Sequence, residues 1–396
     1  MEFPALSLAI DNCFASKRWT RPAEWMELVR RLGLSCVEAS ADTEADPLYT
    51  GPEYMEDWVE DVLRCEERSG VRVVNLYSGH GTYTTLGLAH TDARVRQRMR
   101  ELWLKPMIRA AAKLHAGLGF FCHAFPEAVL QDSGLYSQQL ALLEDQLSEA
   151  ASYGAEQGLD VVAVEQMYTP HQVPWTIEGA RGLIGEVKAK GGFPLYLTID
   201  TGHQVGQHKF IRPEPAHISK MAREGEGTAD GRGIWLGSRR AFDRFEECVR
   251  NGGTVSDEDM AFIMADMDCH PYLFSASQDG DCYAWLEYLG CFSPIIHLQQ
   301  VTGGVSAHLP FTAQMNSKGI IHPEKVLRSL LQSYLRPISN HLPPRSLQIY
   351  LTLEIFAGTS ETQGEILKNL RESVDYWRRF IPKDGMRLDE LVAEDY

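Results

Sequence analysis

The chain is short of cationic side chains, of paired cysteines and of long apolar stretches, and each shortage removes a class of function. Its 396 residues carry 38 Lys and Arg against 54 Asp and Glu, a formal charge of −16. So acidic a surface repels phosphate backbones and anionic lipid, which argues against nucleic acid or a membrane as partner. A local basic pocket can still oppose the global sign, so a small anionic substrate stays open. Eight cysteines (13, 36, 65, 122, 248, 269, 282 and 291) are scattered without a Cys-x-x-Cys pair. Cys36 and Cys122 fall in strand-like runs and read as buried free thiols. No run of about 18 apolar residues occurs, and MEFPALSLAI lacks a basic start and a long apolar core. Neither a leader nor a span is expected, and the setting reads as cytoplasmic and reducing. No Gly-x-Gly-x-x-Gly follows the first strand-like run, which counts against a dinucleotide site. Internal repeats and low-complexity tracts are also missing.

What is present is 44% hydrophobic and 23% charged residues, enough for a sizeable core. Short β-branched apolar runs recur at Leu6–Asp11, Ser35–Ser40, Arg72–Tyr77, Leu118–His123, Val161–Gln166, Leu195–Asp200, Ile295–Gln299 and Gln348–Glu354. Between them lie segments of helical periodicity, clearest at Pro22–Leu32, Asp92–Leu114, Ser137–Gln157 and Glu178–Lys190. Strict strand–helix alternation implies right-handed crossovers and a parallel sheet. Eight such units predict an α/β fold, a (β/α)8 barrel over residues 1–380, with 381–396 as a peripheral tail. The 97 residues from Asp200 to His297 exceed one crossover, so a long insertion follows strand six. Within it, 207–290 is expected to act as a lid or an oligomer contact. It contains a Gly-rich polar stretch (REGEGTADGRG), a helix at Arg239–Arg250 and a second helix at CYAWLEYL capped by Asp281.

Four of the apolar runs end in a residue able to bind metal: Glu165 in VVAVEQ, Asp200 in LYLTID, His297 in SPIIHLQ and Glu354 in IYLTLEIF. A buried carboxylate is costly unless paired or metal-bound. Barrel active sites lie at the C-terminal strand ends, where these four fall together with Asp11, Asn12, Glu38, Tyr77 to His80, and His123. Three hard oxygen donors and one imidazole suit Mn2+ best, with Mg2+, Co2+ or Zn2+ as alternatives. His203 stands three residues past Asp200 and can face the same pocket. Tyr168, His171 and Trp175 follow Glu165; Gln299, Gln300, Thr302, His308 and Phe311 follow His297. Amides, imidazoles and aromatic faces of this kind suit a polyhydroxylated ligand, although Trp175 and Phe311 equally fit packing under loops. Asp266, Asp268, Cys269 and His270 resemble a metal cluster in composition, but their crowding reads as a loop. For a phosphorylated substrate, Lys209, Arg212, Arg239, Arg240 and Lys318 are candidates by position, or the backbone N–H groups of Gly303–Gly304.

Strand-end Glu, then IDTGH, then strand-end His, then LTLEIF together resemble the xylose isomerase-like TIM barrels, over nearly the whole chain. EQMYTPHQVPWT, YAWLEYLG, SPIIHLQQVTGG and AHLPFT resemble the D-erythrulose 1-phosphate 3-epimerase group within them. The resemblance implies that Glu165, Asp200, His297 and Glu354 hold one divalent metal and that His203 contacts a small sugar or sugar phosphate; Tyr168, His171, Gln299 and His308 are expected beside it from their loop positions. It implies a homodimer or homotetramer as well. Related epimerases often carry an arginine shortly after the ligand histidine; here the segment is QQVTGG, with no arginine before Arg328.

The chemistry implied is epimerisation or isomerisation of a small ketose or ketose phosphate through an enediolate, with Glu165 and Glu354 as the proton-transferring carboxylates. Three other readings compete: a keto-sugar lyase on the same barrel, an endonuclease of the same superfamily, which the acidic charge disfavours, and a non-catalytic sugar-binding barrel.

Overall fold

A computed structural model describes residues 2–78, 86–225 and 233–392. Gly79 and His80, and most of the REGEGTADGRG stretch, lie outside these. Eight parallel strands close on themselves: β1 (Ala5–Asp11), β2 (Cys36–Ser40), β3 (Arg72–Ser78), β4 (Gly117–Phe120), β5 (Val162–Glu165), β6 (Tyr196–Asp200), β7 (Ile295–Leu298) and β8 (Gln348–Leu353). Each pairs with the next, and β1 joins both β8 and β2. The expected (β/α)8 barrel is therefore the observed one, with helices between the strands. Alternation along each strand divides its residues between two environments. One set (Leu8, Ile10, Val164, Leu197, Ile199, Ile296, Leu351 and Leu353) is fully buried and apolar, packing under the helical shell. The other set faces the barrel axis and is unusually polar, with Asp11, Glu38, Asn75, Thr198, Asp200, His297 and Thr352 all buried.

Strands β4 and β5 are shorter than their apolar runs. The sheet loses β4 at Phe120, and the chain turns at His123, whose φ is 64°. Ala124 then pairs with Gln172 in the loop after β5. The helix expected over Asp92–Leu114 is interrupted by a wide turn at Arg100–Leu104. Pro106, with no N–H to return to the preceding turn, sits just beyond it.

The stagger of the barrel leaves the first residues of β1 without β2 as a neighbour, because their pairing starts at Ala9. A ninth strand, β9 (Met386–Arg387), fills that edge in antiparallel register with Ala5 and Leu6. Leu388 next to it is fully buried. The segment read as tail thus includes part of the barrel floor.

The insertion after β6 forms helices at Pro215–Glu224, Arg239–Arg250, Asp257–Cys269 and Cys282–Leu289. Asp281 caps the last by accepting from the Tyr283 N–H. Asp266, Asp268 and Cys269 lie in the final turns of a helix, with His270 as its C-cap, rather than in a loop. The Ser256–Asp259 capping box starts that helix, and Ile263 and Met267 bury one face of it. The insertion is anchored to the β4 and β5 loops: Tyr272 OH donates to Leu130 O, Trp175 Nε1 donates to Tyr272 O, and Ile177 N donates to Asp279. All eight cysteines are free thiols. Among the described residues no helix is long and apolar enough to cross a membrane.

Candidate metal centre

Register brings the ligand candidates to one level. Asp200 pairs with His297 across β6 and β7, and Glu354 directly follows β8, its N–H donating to Leu298 O. Glu165 closes β5. One donor atom from each of Glu165, Asp200, His297 and Glu354 lies within 4.8 Å of the others, and all four residues are buried. His297 Nδ1 is 3.2 Å from Glu165 Oε1 and 3.3 Å from Glu354 Oε2.

The donor set fits a divalent ion. Asp200 Oδ1 accepts from Gly202 N, His203 N and the Gln299 amide, but Asp200 Oδ2 is buried with no hydrogen-bond partner. Glu354 Oε2, though close to two imidazoles, makes no hydrogen bond either. Buried acceptors left open are costly, and a cation shared by them removes the cost. Burial opposes ionisation of Asp200, yet His203, His308 and His297 and the Gln299 hydrogen bond outweigh it and lower its pKa to about 2. Burial raises Glu354, against the pull of His297 and His308. Burial likewise works against a charged His297, but the Glu354 and Glu38 carboxylates hold its pKa well above the ordinary imidazole range. Burial, and then the neighbouring Glu38 and Glu354 carboxylates, push the Asp11 pKa well above the ordinary carboxylate range.

The proposed substrate-contact residues divide. His203 and His308 join Asp200 in a second group of close donors. His203 Nδ1 is 2.7 Å from Gln166 O, so it donates there and leaves Nε2 as the acceptor facing inward. Tyr168 packs edge-on against the His203 ring at 4.8 Å. Gln299 ties Asp200 to Ser306 and His308. His308 reaches the centre because the segment after β7 folds back: Gln300 pairs with Leu309, and His308 N donates to Gln299 Oε1. His308 is held at a φ of 46° and stacks on Phe356 at 3.8 Å. His171 is not brought to the centre. Its Nδ1 bonds Phe125 O and its Nε2 faces Glu127 at 3.5 Å, because the loop after β5 is pinned to the segment after β4. Trp175 and Phe311 are buried packing.

Of the basic candidates for a phosphate, Arg212 pairs with Asp268, Arg239 with Asp243, and Arg240 stands 3.8 Å from Asp266. Lys209, Lys318, Gly303 and Gly304 are exposed. Asp266, read above as part of a metal-like cluster, accepts instead from Ser238 and lies beside His270. Three neighbours of the centre were not assigned to it from the sequence. Tyr77 donates its hydroxyl to Glu165 Oε2 and meets His297 edge-on at 4.8 Å; Glu38 Oε1 lies 2.6 Å from His297 Nε2, and Asn75 donates to Glu38 Oε2. Strand-end position, as read from the sequence, was the available signal for Tyr77 and Glu38; Asn75 lies mid-strand and carried none.

The sequence profile of the xylose isomerase-like TIM barrel matches residues 26–225. The chain belongs to the xylose isomerase-like TIM-barrel family. That match includes Glu165 and Asp200; His297 and Glu354 lie beyond it. A D-erythrulose 1-phosphate 3-epimerase of Brucella abortus (strain 2308) is 33% identical over 143 residues, 35% of this chain and 43% of that protein. The chain therefore matches less than half the length of that relative. A candidate xylose isomerase of Rhodospirillum rubrum shares the barrel with a TM-score of 0.66 at 17% identity, over 94% of this chain and 99% of its own. An L-ribulose 3-epimerase superposes with a TM-score of 0.52 at 12% identity, over 98% and 96%. At such identities the likeness is one of fold within the xylose isomerase-like barrels.

Proposed function

We propose that this chain is a divalent-metal-dependent epimerase or isomerase of a small ketose or ketose phosphate, and that its reaction is 3-epimerisation of a tetrulose phosphate such as D-erythrulose 1-phosphate. The observation that carries the reading is the four-residue donor cluster at the C-terminal end of the barrel, with Asp200 Oδ2 buried and unpartnered. The name of the Brucella relative supports the substrate. Glu165, Asp200, His297 and Glu354 would hold the ion, with Mn2+ the first to test. Once bound, such an ion polarises the substrate carbonyl and stabilises negative charge developing on its oxygen.

The proton work falls to the two glutamates. One carboxylate removes the proton from the carbon next to the carbonyl, and the other, as the acid, returns a proton to the opposite face. Glu165 presents Oε2 to the Tyr77 hydroxyl, which steadies the carboxylate and donates to it. Glu354 has His308 Nδ1 3.3 Å from Oε2, a second imidazole next to the carboxyl that gains and loses the proton. His203 Nε2 and the exposed face of Phe356 border the centre as polar and apolar contacts for a sugar. Isomerisation would return the proton to the neighbouring carbon instead. A homodimer or homotetramer accompanies this reading through the family resemblance alone, and a cytoplasmic, reducing setting through the scattered free cysteines.

The test has two parts. Metal content is measured on dialysed protein reconstituted with Mn2+, with Asp200→Ala and His297→Ala alongside; about one ion per chain, lost in both variants, is expected. Deuterium uptake from D2O is then followed across tetruloses, pentuloses, hexuloses and their phosphates. Uptake at C3 of a tetrulose phosphate supports the stated reaction. Ion binding with uptake only at another carbon or sugar would change the substrate, and no ion in the wild-type chain would overturn the reading.

A further inference from the structure

The mechanism above leaves Glu38 without a task. Glu38, in the middle of β2, is fully buried. Its Oε1 lies 2.6 Å from His297 Nε2, and its Oε2 accepts from Asn75 Nδ2 at 2.8 Å. Glu38 is on the far side of the imidazole from the donor cluster, since His297 Nδ1 is the atom that faces Glu165 and Glu354. The order along this line is Asn75, Glu38, His297, centre.

Two glycines make the line possible. Strand β4 reads Gly117-Leu118-Gly119-Phe120, with both glycines turned to the interior. A Cβ on Gly117 would stand 2.6 Å from Asn75 Oδ1, and one on Gly119 would stand 3.2 Å from Asn75 Nδ2 and 3.1 Å from the Tyr77 ring. Any other residue at 117 would displace the amide that holds Glu38. Strand β4 thus gives up interior side chains so that β3 can carry Asn75 and Tyr77 inward.

We propose that Glu38, held by Asn75, is a positioning residue for His297. It accepts the imidazole Nε2–H, fixes that tautomer and ring orientation, and so presents the Nδ1 lone pair to the centre. A carboxylate behind a metal-binding imidazole sets its tautomer and raises its basicity, and loss of such a partner typically costs about 10–100-fold in metal affinity. The inference rests on the metal reading given above.

Cobalt(II) provides the probe, because its visible absorption reports ligand geometry as well as occupancy. Glu38→Leu, which removes the acceptor, is expected to weaken Co2+ binding about 10–100-fold and to shift the visible spectrum. Glu38→Gln is expected to recover most of that affinity, since its amide oxygen can accept the same N–H. Asn75 Oδ1, which has no hydrogen-bond partner, can turn to accept from the new amide. A folded Glu38→Leu with wild-type Co2+ affinity and spectrum would overturn the proposal. So that a variant that fails to fold does not decide the matter, the tautomer is also read in the unaltered chain by 15N imidazole shifts of the Zn2+-loaded protein. A proton on His297 Nε2 is expected, and a proton on Nδ1 would overturn the proposal. Failure of wild-type protein to bind Co2+ would overturn the metal reading and this inference together, whereas wild-type binding that is equal in Glu38→Leu would overturn this inference alone.

Discussion

Asp200 at the mouth of the barrel is fully buried and Asp384 at its floor is half-buried, and their oxygens are treated oppositely. Asp384 uses both oxygens: Oδ1 accepts from Leu8 N and Arg378, and Oδ2 accepts from Ser35 Oγ and Arg378. Its bidentate arginine and its backbone donor leave nothing to add. Asp200 has one oxygen saturated and the other bare, among three further ligand candidates and an unpartnered Asp11 Oδ2. The floor is closed electrostatically by the chain itself, whereas the mouth is arranged so that something else must close it. Stability belongs to the first pattern and chemistry to the second, the division expected between the two faces of such a barrel.

The comparison can be broken most forcefully at the mouth. Glu354→Gln is expected to lower kcat by about 10²–10⁴-fold with thermal stability unchanged or raised, measured by steady-state kinetics and melting on the same sample. A melting temperature that falls as far as the activity would merge the two ends. Added Mn2+ should raise the stability of the wild-type chain by about 2.7 kcal/mol at a hundred times its Kd, and should do nothing for Asp200→Ala.

At the floor the signs reverse. Asp384→Asn is expected to cost about 2 kcal/mol of stability while leaving kcat of the folded fraction untouched. Burial opposes its charge, but the Arg378 hydrogen bonds and the Leu8 N–H hold its pKa below the ordinary 3.8. A depressed carboxyl stabilises the fold above its unfolded pKa, and the benefit is lost as pH falls through the lower folded value. The gap in denaturant midpoint between wild type and Asp384→Asn should therefore be full at neutral pH and close under acid. A gap independent of pH would sink the assignment. Tyr77→Phe, which removes one donor from Glu165, should reduce kcat about tenfold with a small stability change. Gly119→Ala is the mildest: crowding of Tyr77 and Asn75 should cost about 1 kcal/mol, with a detectable loss of Co2+ affinity.

The four proposed ligands could be picked out of the sequence because the physical signal is local: one charged letter at the end of an apolar run. The same rule marked Glu38 in CVEAS as a strand-end residue, but its partner His297 is 259 positions away, and no local pattern distinguishes a ligand from a group that holds a ligand. His171 misled because two nearby prolines stiffen its loop without saying where the loop points; pairing with Ala124 turns the ring away. The helix ending at Cys269 was concealed by acidic residues on both of its faces, although its capping box was readable. Basic residues in the insertion are paired with its own carboxylates, a use that position along the chain does not reveal. Strand β9 is two residues long, too short for any periodicity to register.

That short strand has a consequence for the order of events during synthesis. The contacts that finish β1, from Ala5 and Leu6 to β9 and from Leu8 N to Asp384, join residues at least 376 positions apart. Contacts so distant in sequence form late and slowly. A growing chain can build its helices and most of its strands on the ribosome, but its first strand stays half-paired until residue 387 has emerged. For that interval the oldest segment of the protein is an open sheet edge, the surface most prone to pair with a neighbouring chain.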